Sequence, residues 1–269
     1  MTERILLGAL LLSACSSPLV SNDAGGATGG GAAATGGGGA TGGGSAGGGT
    51  TDAGPSEPTL SSAVLFRDDF DGYASLIALR AAYPEIREAG GAIALERASD
   101  GGALRLDYAG DGGCASADVH VGKVLSGDVP TVMVTWKFLR PAGFTSCGDA
   151  GVEDFTLTRG ATRTTFERTS SAFLLRVGAT EFVQHLKLDT HAPAVLADGA
   201  WHRVTLVLTR QSTPSTSDGV IQAWVDGALI IDLVGATGTA PFSLATWPGA
   251  LQNDAAQRRF VDELAISTP

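Results

Sequence analysis

The sequence predicts an all-β domain in which two antiparallel sheets stack into a sandwich. Three observations carry this. Asp198-Gly199, Asp218-Gly219 and Asp226-Gly227 punctuate three β-rich runs, and Asp-Gly supplies the positive φ that tight turns need. Short alternating apolar runs separated by glycine-rich turns fill most of the chain after Leu60, the pattern of a two-sheet β protein rather than of βαβ units. The stretch 60–269 is one domain of roughly 200 residues, enough to bury a sizeable core.

Taken in order, Ala63-Val64-Leu65-Phe66 reads as a first strand, and Arg67-Asp68-Asp69-Phe70-Asp71-Gly72 as the turn that ends it. Residues 75–88 have helical spacing at Leu76, Leu79 and Tyr83, but Pro84 interrupts it, so a loop with one or two helical turns at most is expected. Runs 92–97 and 103–109 flank Asp100-Gly101-Gly102, a hairpin signal. A strand over 117–124 follows. Run 131–140 is the strongest strand of the first half, with Val132, Val134, Trp136 and Phe138 alternating against Met133, Thr135, Lys137 and Leu139. Shorter strands are expected over 155–158, 164–167, 173–177 and 182–188. The strands 204–210, 220–225 and 229–233 come next, the last two joined by a type I′ hairpin at Asp226-Gly227, and 259–266 closes the set.

The run Gly199-Ala-Trp201-His202-Arg-Val204, the loop 209–218, and Asp218-Gly-Val-Ile-Gln-Ala-Trp224-Val-Asp226-Gly227 resemble the late strands of concanavalin A-like jelly rolls, the superfamily of laminin-G-like modules and jelly-roll polysaccharide lyases. The length of the loop is more similar to the lyases. Phe66-Arg-Asp-Asp-Phe-Asp-Gly72 and Phe260-Val-Asp-Glu-Leu-Ala-Ile266 look like the terminal strands of such folds, which lie side by side. The resemblance covers about a third of the ordered chain and speaks to fold, since folds of this kind host many functions.

The N-terminal segment reads as a processing signal. Arg4, the apolar run 5–12 and Leu12-Ser13-Ala14-Cys15 resemble the lipobox of bacterial lipoproteins, which makes 1–14 a signal peptide and Cys15 the lipidated residue. The stretch 15–59 is Gly/Ala/Thr/Ser-rich and cannot bury a core. A coil of that length spans roughly 35–40 Å, enough to act as a tether. Ser16, rather than aspartate, after Cys15 favours the outer membrane. No run reaches the ~20 apolar residues of a spanning helix, so membrane attachment is expected through the lipid alone. Export implies an oxidising compartment, where Cys114 and Cys147 are expected to form a disulfide. The net charge of −10 argues against nucleic acid as a partner.

Two places could carry chemistry. Terminal-strand pairing would bring Asp68, Asp69 and Asp71 near Asp262 and Glu263, an oxygen-rich set from which Asp68, Asp71 and Asp262 are the expected ligands of a structural calcium, against the alternative of solvated turn carboxylates. In Phe182-Val-Gln-His-Leu-Lys-Leu188, alternation puts His185 and Lys187 on one face, and the resemblance to the lyases aligns Arg176 with the arginine of their preceding strand. A site that cleaves polyuronates needs a cation for the carboxylate and a base for the C5 proton; Arg176, Lys187 and His185 suit those roles. The lyase pattern is broken in two places: His185 and Lys187 replace a tyrosine pair, and Glu153 stands where a lysine is expected. Among the tryptophans, Trp136, Trp201 and Trp224 are expected in the core. Trp247, in the loop-like Ala245-Thr-Trp-Pro-Gly249, is the expected sugar platform. His202 reads as a turn residue, and His120 and His191 as weaker signals.

The leading expectation is therefore non-catalytic binding of a polysaccharide or cell-surface glycan through Arg176, His185, Lys187 and Trp247. The alternatives are a polysaccharide lyase acting by β-elimination and a structural or adhesion module without a sugar ligand.

Overall fold

The computed structural model of the chain describes residues 55–60, 63–98, 101–110, 112–147, 152–160, 162–168, 173–177, 180–182 and 197–269. Cys15, His185, Lys187 and His191 lie outside them. In chain order the elements are β1 (Val64–Asp68), α1 (Leu76–Ala82), β2 (Glu85–Ala89), β3 (Gly91–Ala98), β4 (Gly101–Tyr108), β5 (Ser116–Val124), β6 (Thr131–Leu139), β7 (Val152–Arg159) and β8 (Thr162–Arg168). They continue with β9 (Phe173–Val177), β10 (Thr180–Phe182), β11 (Trp201–Thr209), β12 (Gly219–Val225), β13 (Ala228–Gly235), β14 (Leu244–Trp247), β15 (Ala250–Gln252) and β16 (Gln257–Ser267).

Two antiparallel sheets result. Sheet A runs β13-β12-β11-β6-β16-β4-β3, with β1 also on β16; sheet B runs β10-β9-β8-β7-β14-β5-β15, with β2 on β5. The chain ends pair as expected, Phe66 opposite Ile266 and Asp68 opposite Leu264. Asp226 (φ 50°) and Gly227 (φ 82°) both adopt the left-handed conformation that a type I′ turn requires. His202 joins that turn to the one at Asp198-Gly199: Nδ1 lies 2.7 Å from Asp226 and Nε2 3.2 Å from Asp198.

Helix α1, of seven residues, falls within the one or two helical turns expected, whereas β2 and the split of β14 from β15 depart from expectation. Helix α1 is capped by Ser75, whose hydroxyl accepts from Ala78 N at 3.3 Å, and it stops at Tyr83 because a residue before proline is pushed out of helical space. Strand β2 replaces the rest of the expected loop; it is a charged edge strand, Glu-Ile-Arg-Glu-Ala, whose composition hides it. Strands β14 and β15 are one strand interrupted by Pro248-Gly249, both paired with β5.

An aromatic ladder runs through the core. Ring centroids step from Phe66 to Trp247 (6.2 Å), Phe155 (5.3 Å), Trp136 (5.3 Å), Phe166 (5.8 Å) and Phe173 (5.4 Å). Trp136 is core, as alternation predicts. Trp247 is 0 % exposed and cannot be a sugar platform: in β14 its side chain alternates into the sandwich. Trp201 departs the other way, at 38 % exposure, since it faces out beside Leu139 while its neighbour His202 packs inward on Phe138. Trp224 is buried but under a different cover: it lies on the outer face of sheet A, opposite Thr205, and donates from Nε1 to Pro55 O at 3.3 Å. Residues 55–60 cross that face, and Glu57 accepts from Arg203 (2.7 Å) and Thr205 (2.5 Å).

A buried charge knot sits between the sheets. Asp154 pairs with Arg140 and with Arg259, all three buried. Arg259 also donates to Tyr108 OH (2.7 Å), Glu153 O (3.0 Å) and Gly249 O (2.6 Å). One side chain thus fixes the backbone of β7 and of the break between β14 and β15. Nearby Arg168 has its pKa lowered to about 9, first by burial and then by the positive charge of Arg140.

Candidate functional site

The face of sheet B turned away from the aromatic core carries a set of polar side chains, of which Thr156 (2 % exposed), Thr165 (5 %), Thr246 (6 %) and Glu167 (6 %) are buried. Alternation puts it there. Phe155, Leu157 and Phe166 point into the core, so Glu153, Thr156 and Thr158 of β7 and Arg163, Thr165 and Glu167 of β8 point out. Register lines up a row across the sheet: Arg176, Thr165, Thr156, Thr246, Gly122 and Glu85. The middle of the row is small, three threonines and a glycine, and its two ends are charged. That row is the floor of the sheet B trough; it crosses six strands, so its ends lie five strand spacings apart, about 24 Å.

At one end, Arg163 donates to Glu153 (2.5 Å) and to Thr156 Oγ1 (3.1 Å), and Arg176 Nε lies 3.2 Å from Glu167. Glu153 also accepts from Ala250 N at 3.0 Å. Its negative charge, which on the sequence alone stood to repel an acidic sugar, is met by Arg163. Gly249 is required beside it, because a Cβ there would come within 2.4 Å of the Glu153 side chain.

At the other end stands a dyad. His120 Nδ1 lies 2.7 Å from Asp118, and His120 Nε2 lies 3.9 Å from Glu85. Arg87 of β2 is the cross-strand partner of His120 and sits 3.0 Å from Asp118. With Nδ1–H donated to Asp118, Nε2 is the nitrogen that carries the lone pair. The arrangement puts a base, its orienting carboxylate and an adjacent guanidinium on one face, with the His120 side chain 12 % exposed and Arg87 58 %.

Of the expected site residues, Arg176 lies on this face, several strands away from His120. His185 and Lys187 are outside the described residues, and Trp247 is core. The calcium ligands are not gathered into one set. Asp68 accepts from Tyr73 OH (2.6 Å), Tyr83 OH (2.7 Å) and Phe70 N (2.8 Å), and Asp71 accepts from Gly102 N. Among the described residues no group of three His, Cys, Asp or Glu side chains is placed to hold a metal ion. Burial first, and then the negative charge of Asp68 and the hydrogen bonds donated to it, push both tyrosine hydroxyls far above their usual pKa. The disulfide between Cys114 and Cys147 is present. His120, Asp118 and Arg87 were missed as a group. The alternation of 117–124 placed Asp118 and His120 on one face, but Arg87 reaches them only through a strand that the sequence does not announce.

No protein-family model matches the chain, and no curated protein does either. Solved structures do. The chain is similar to an endo-β-1,4-glucuronan lyase from the fungus Trichoderma reesei, with TM-score 0.56 and 14 % identity over 78 % of this chain and 96 % of that one. It is similar to the alginate lyase Aly36B, a mutant of which was solved with an alginate trisaccharide, with TM-score 0.56 and 13 % identity over 77 % and 98 %. The alginate lyase vAL-1 from Chlorella virus matches with TM-score 0.52 and 11 % identity over 70 % and 94 %. The fold is therefore the β-sandwich jelly roll that polysaccharide lyases use. At these identities the likeness speaks to fold alone.

Proposed function

We propose that the domain is a polysaccharide lyase that holds a uronate-containing polymer along the outer face of sheet B and cleaves it by β-elimination at His120. The observation that carries this reading is the dyad of His120 and Asp118 with Arg87 directly across the strand pair. Arg87 meets the carboxylate of the reacting sugar and stabilises the charge that builds on it as the C5 proton leaves. His120 Nε2 takes that proton; the C5–H electron pair becomes the C4–C5 double bond, the C4–O bond breaks with its electrons going to the leaving oxygen, and His120 Nε2–H returns the proton to that oxygen. Arg163 and Arg176, at the far end of the trough, suit the carboxylates of other sugars in the chain. The fold shared with glucuronan and alginate lyases supports this reading over plain binding, which led on sequence alone.

Binding without cleavage is the second reading, and one observation weighs against either on an acidic polymer. Arg163 and Arg176 already hold Glu153 and Glu167, so the trough is close to charge-balanced. A single experiment separates the two. Full-length protein is incubated with polymannuronate, polyguluronate and polyglucuronate, and the ultraviolet absorbance of the unsaturated product is followed. Product that disappears in His120→Ala supports the lyase; retention of a polymer without product supports binding. The disulfide supports export to an oxidising compartment, and lipidation at Cys15 would keep the exported domain on a membrane.

A further inference from the structure

Sheet A presents a second polar surface, on the side of the molecule away from the trough. Two cross-strand rows define it. Trp201, Leu139 and Phe260 form one, and Arg203, Lys137 and Asp262 the next. Their neighbours His202, Phe138 and Val261 point into the core, so these six point out. Trp201 is the exposed member, an amphipathic ring left standing on a flat sheet where an ordinary surface position would carry a smaller or charged residue.

The sheet is also broken at this place. Register shifts between Asp262 and Ala265, and Glu263 takes a left-handed φ of 47°, rare for a residue other than glycine, asparagine or aspartate. The bulge turns the Glu263 carboxylate onto Lys137 and its N–H onto Asp262 (2.6 Å). Beside Trp201 it leaves a depression of about 140 Å³, walled by Lys137, Asp262 and Glu263 and floored by Gly101 and Gly102, which have no side chain to fill it. A second depression of about 210 Å³ continues past Lys137 towards Arg203 and Arg67.

We propose that this surface is a second, non-catalytic glycan site, and that it takes an uncharged sugar. An exposed indole offers its face to the C–H side of a pyranose ring, and the polar row beside it supplies donors and acceptors for the ring hydroxyls. Charge fixes the class of sugar. Lys137 is paired with Glu263 and Arg203 with Glu57, and Asp262 stands against Arg67 in the count, so the surface has no surplus cation for a uronate. Asp262 is raised to about 6 by burial and by the nearby negative charge of Glu263 and Asp71, a setting in which a carboxyl gains from a hydroxyl partner. The two faces then divide the work, with acidic polymer on sheet B and neutral glycan on sheet A.

Calorimetric titration of the full chain with cellohexaose, xylohexaose and mannohexaose, and separately with polyguluronate, tests this. At least one neutral hexasaccharide is expected to bind wild type and His120→Ala equally, and Trp201→Ala to weaken that binding by about tenfold or more while leaving polyguluronate untouched. Trp201→Phe, which keeps a ring, should retain an intermediate affinity and guards against a folding defect in the alanine variant. If none of the three neutral sugars binds, or if their binding survives Trp201→Ala, the proposal is overturned, whatever the result at His120.

Discussion

At the scale of single residues, the side chains that organise this molecule are the ones whose partners lie far away in sequence. Asp154 balances Arg140 and Arg259 in the interior. Asp154→Asn would leave two buried guanidiniums uncompensated and should cost about 3–5 kcal/mol, read as a lower urea midpoint. In the trough, Asp118→Asn should slow product formation while His120→Ala abolishes it, because the first loses only the orientation of the ring. Asp262 gives a pH signature. Its pKa is raised in the fold, so the stability it contributes is fully present below about pH 4 and is lost as pH rises through about 6. The melting temperature of Asp262→Asn should match wild type in acid and exceed it near neutrality; a gap that does not change with pH would count against the half-buried setting of this carboxyl.

At the scale of elements, the long alternating strands were legible, as were the short β1 and β9, while β2, β14 and β15 were not. β6 and β11 declare themselves because half-buried strands repeat every second residue over nine positions. β2 and β15, with five and three residues, are too short for a period and carry charge or follow Pro-Gly. The site depends on those short elements. Arg87 is on β2, and Gly249 and Ala250 set Glu153 in place, so the register that assembles the site is a long-range property no local pattern records. Trp247 was misplaced for the same reason: Pro248-Gly249 reads as a loop, yet the tryptophan before it belongs to a core strand. Gly249→Ala would force Glu153 aside and loosen Arg163 with it. A weaker affinity for acidic polymer, with the fold retained by circular dichroism, is the expected outcome.

At the scale of the whole molecule, the sandwich is closed by covalent and terminal links. The disulfide joins Cys114 and Cys147 across a sequence separation of 33. Its reduction should lower stability by about 3–4 kcal/mol in the chain-entropy model, measured as the shift in denaturant midpoint with and without reductant. β1 lies against β16 and binds the two ends of the fold together. This closure was readable from the matching terminal runs. The function of each face was not, because alternation says which residues share a side and leaves open which side packs and which stays wet. Trp201 and Trp224 show this: both sit at signature positions, and one is left open while residues 55–60 roof the other.

That roof has a mechanical consequence. Glu57 and Pro55 grip Arg203, Thr205 and Trp224 before the polypeptide enters β1. Any tension on the chain ahead of Pro55 is therefore spent first on these few contacts, which act as a strain relief for the terminal strand.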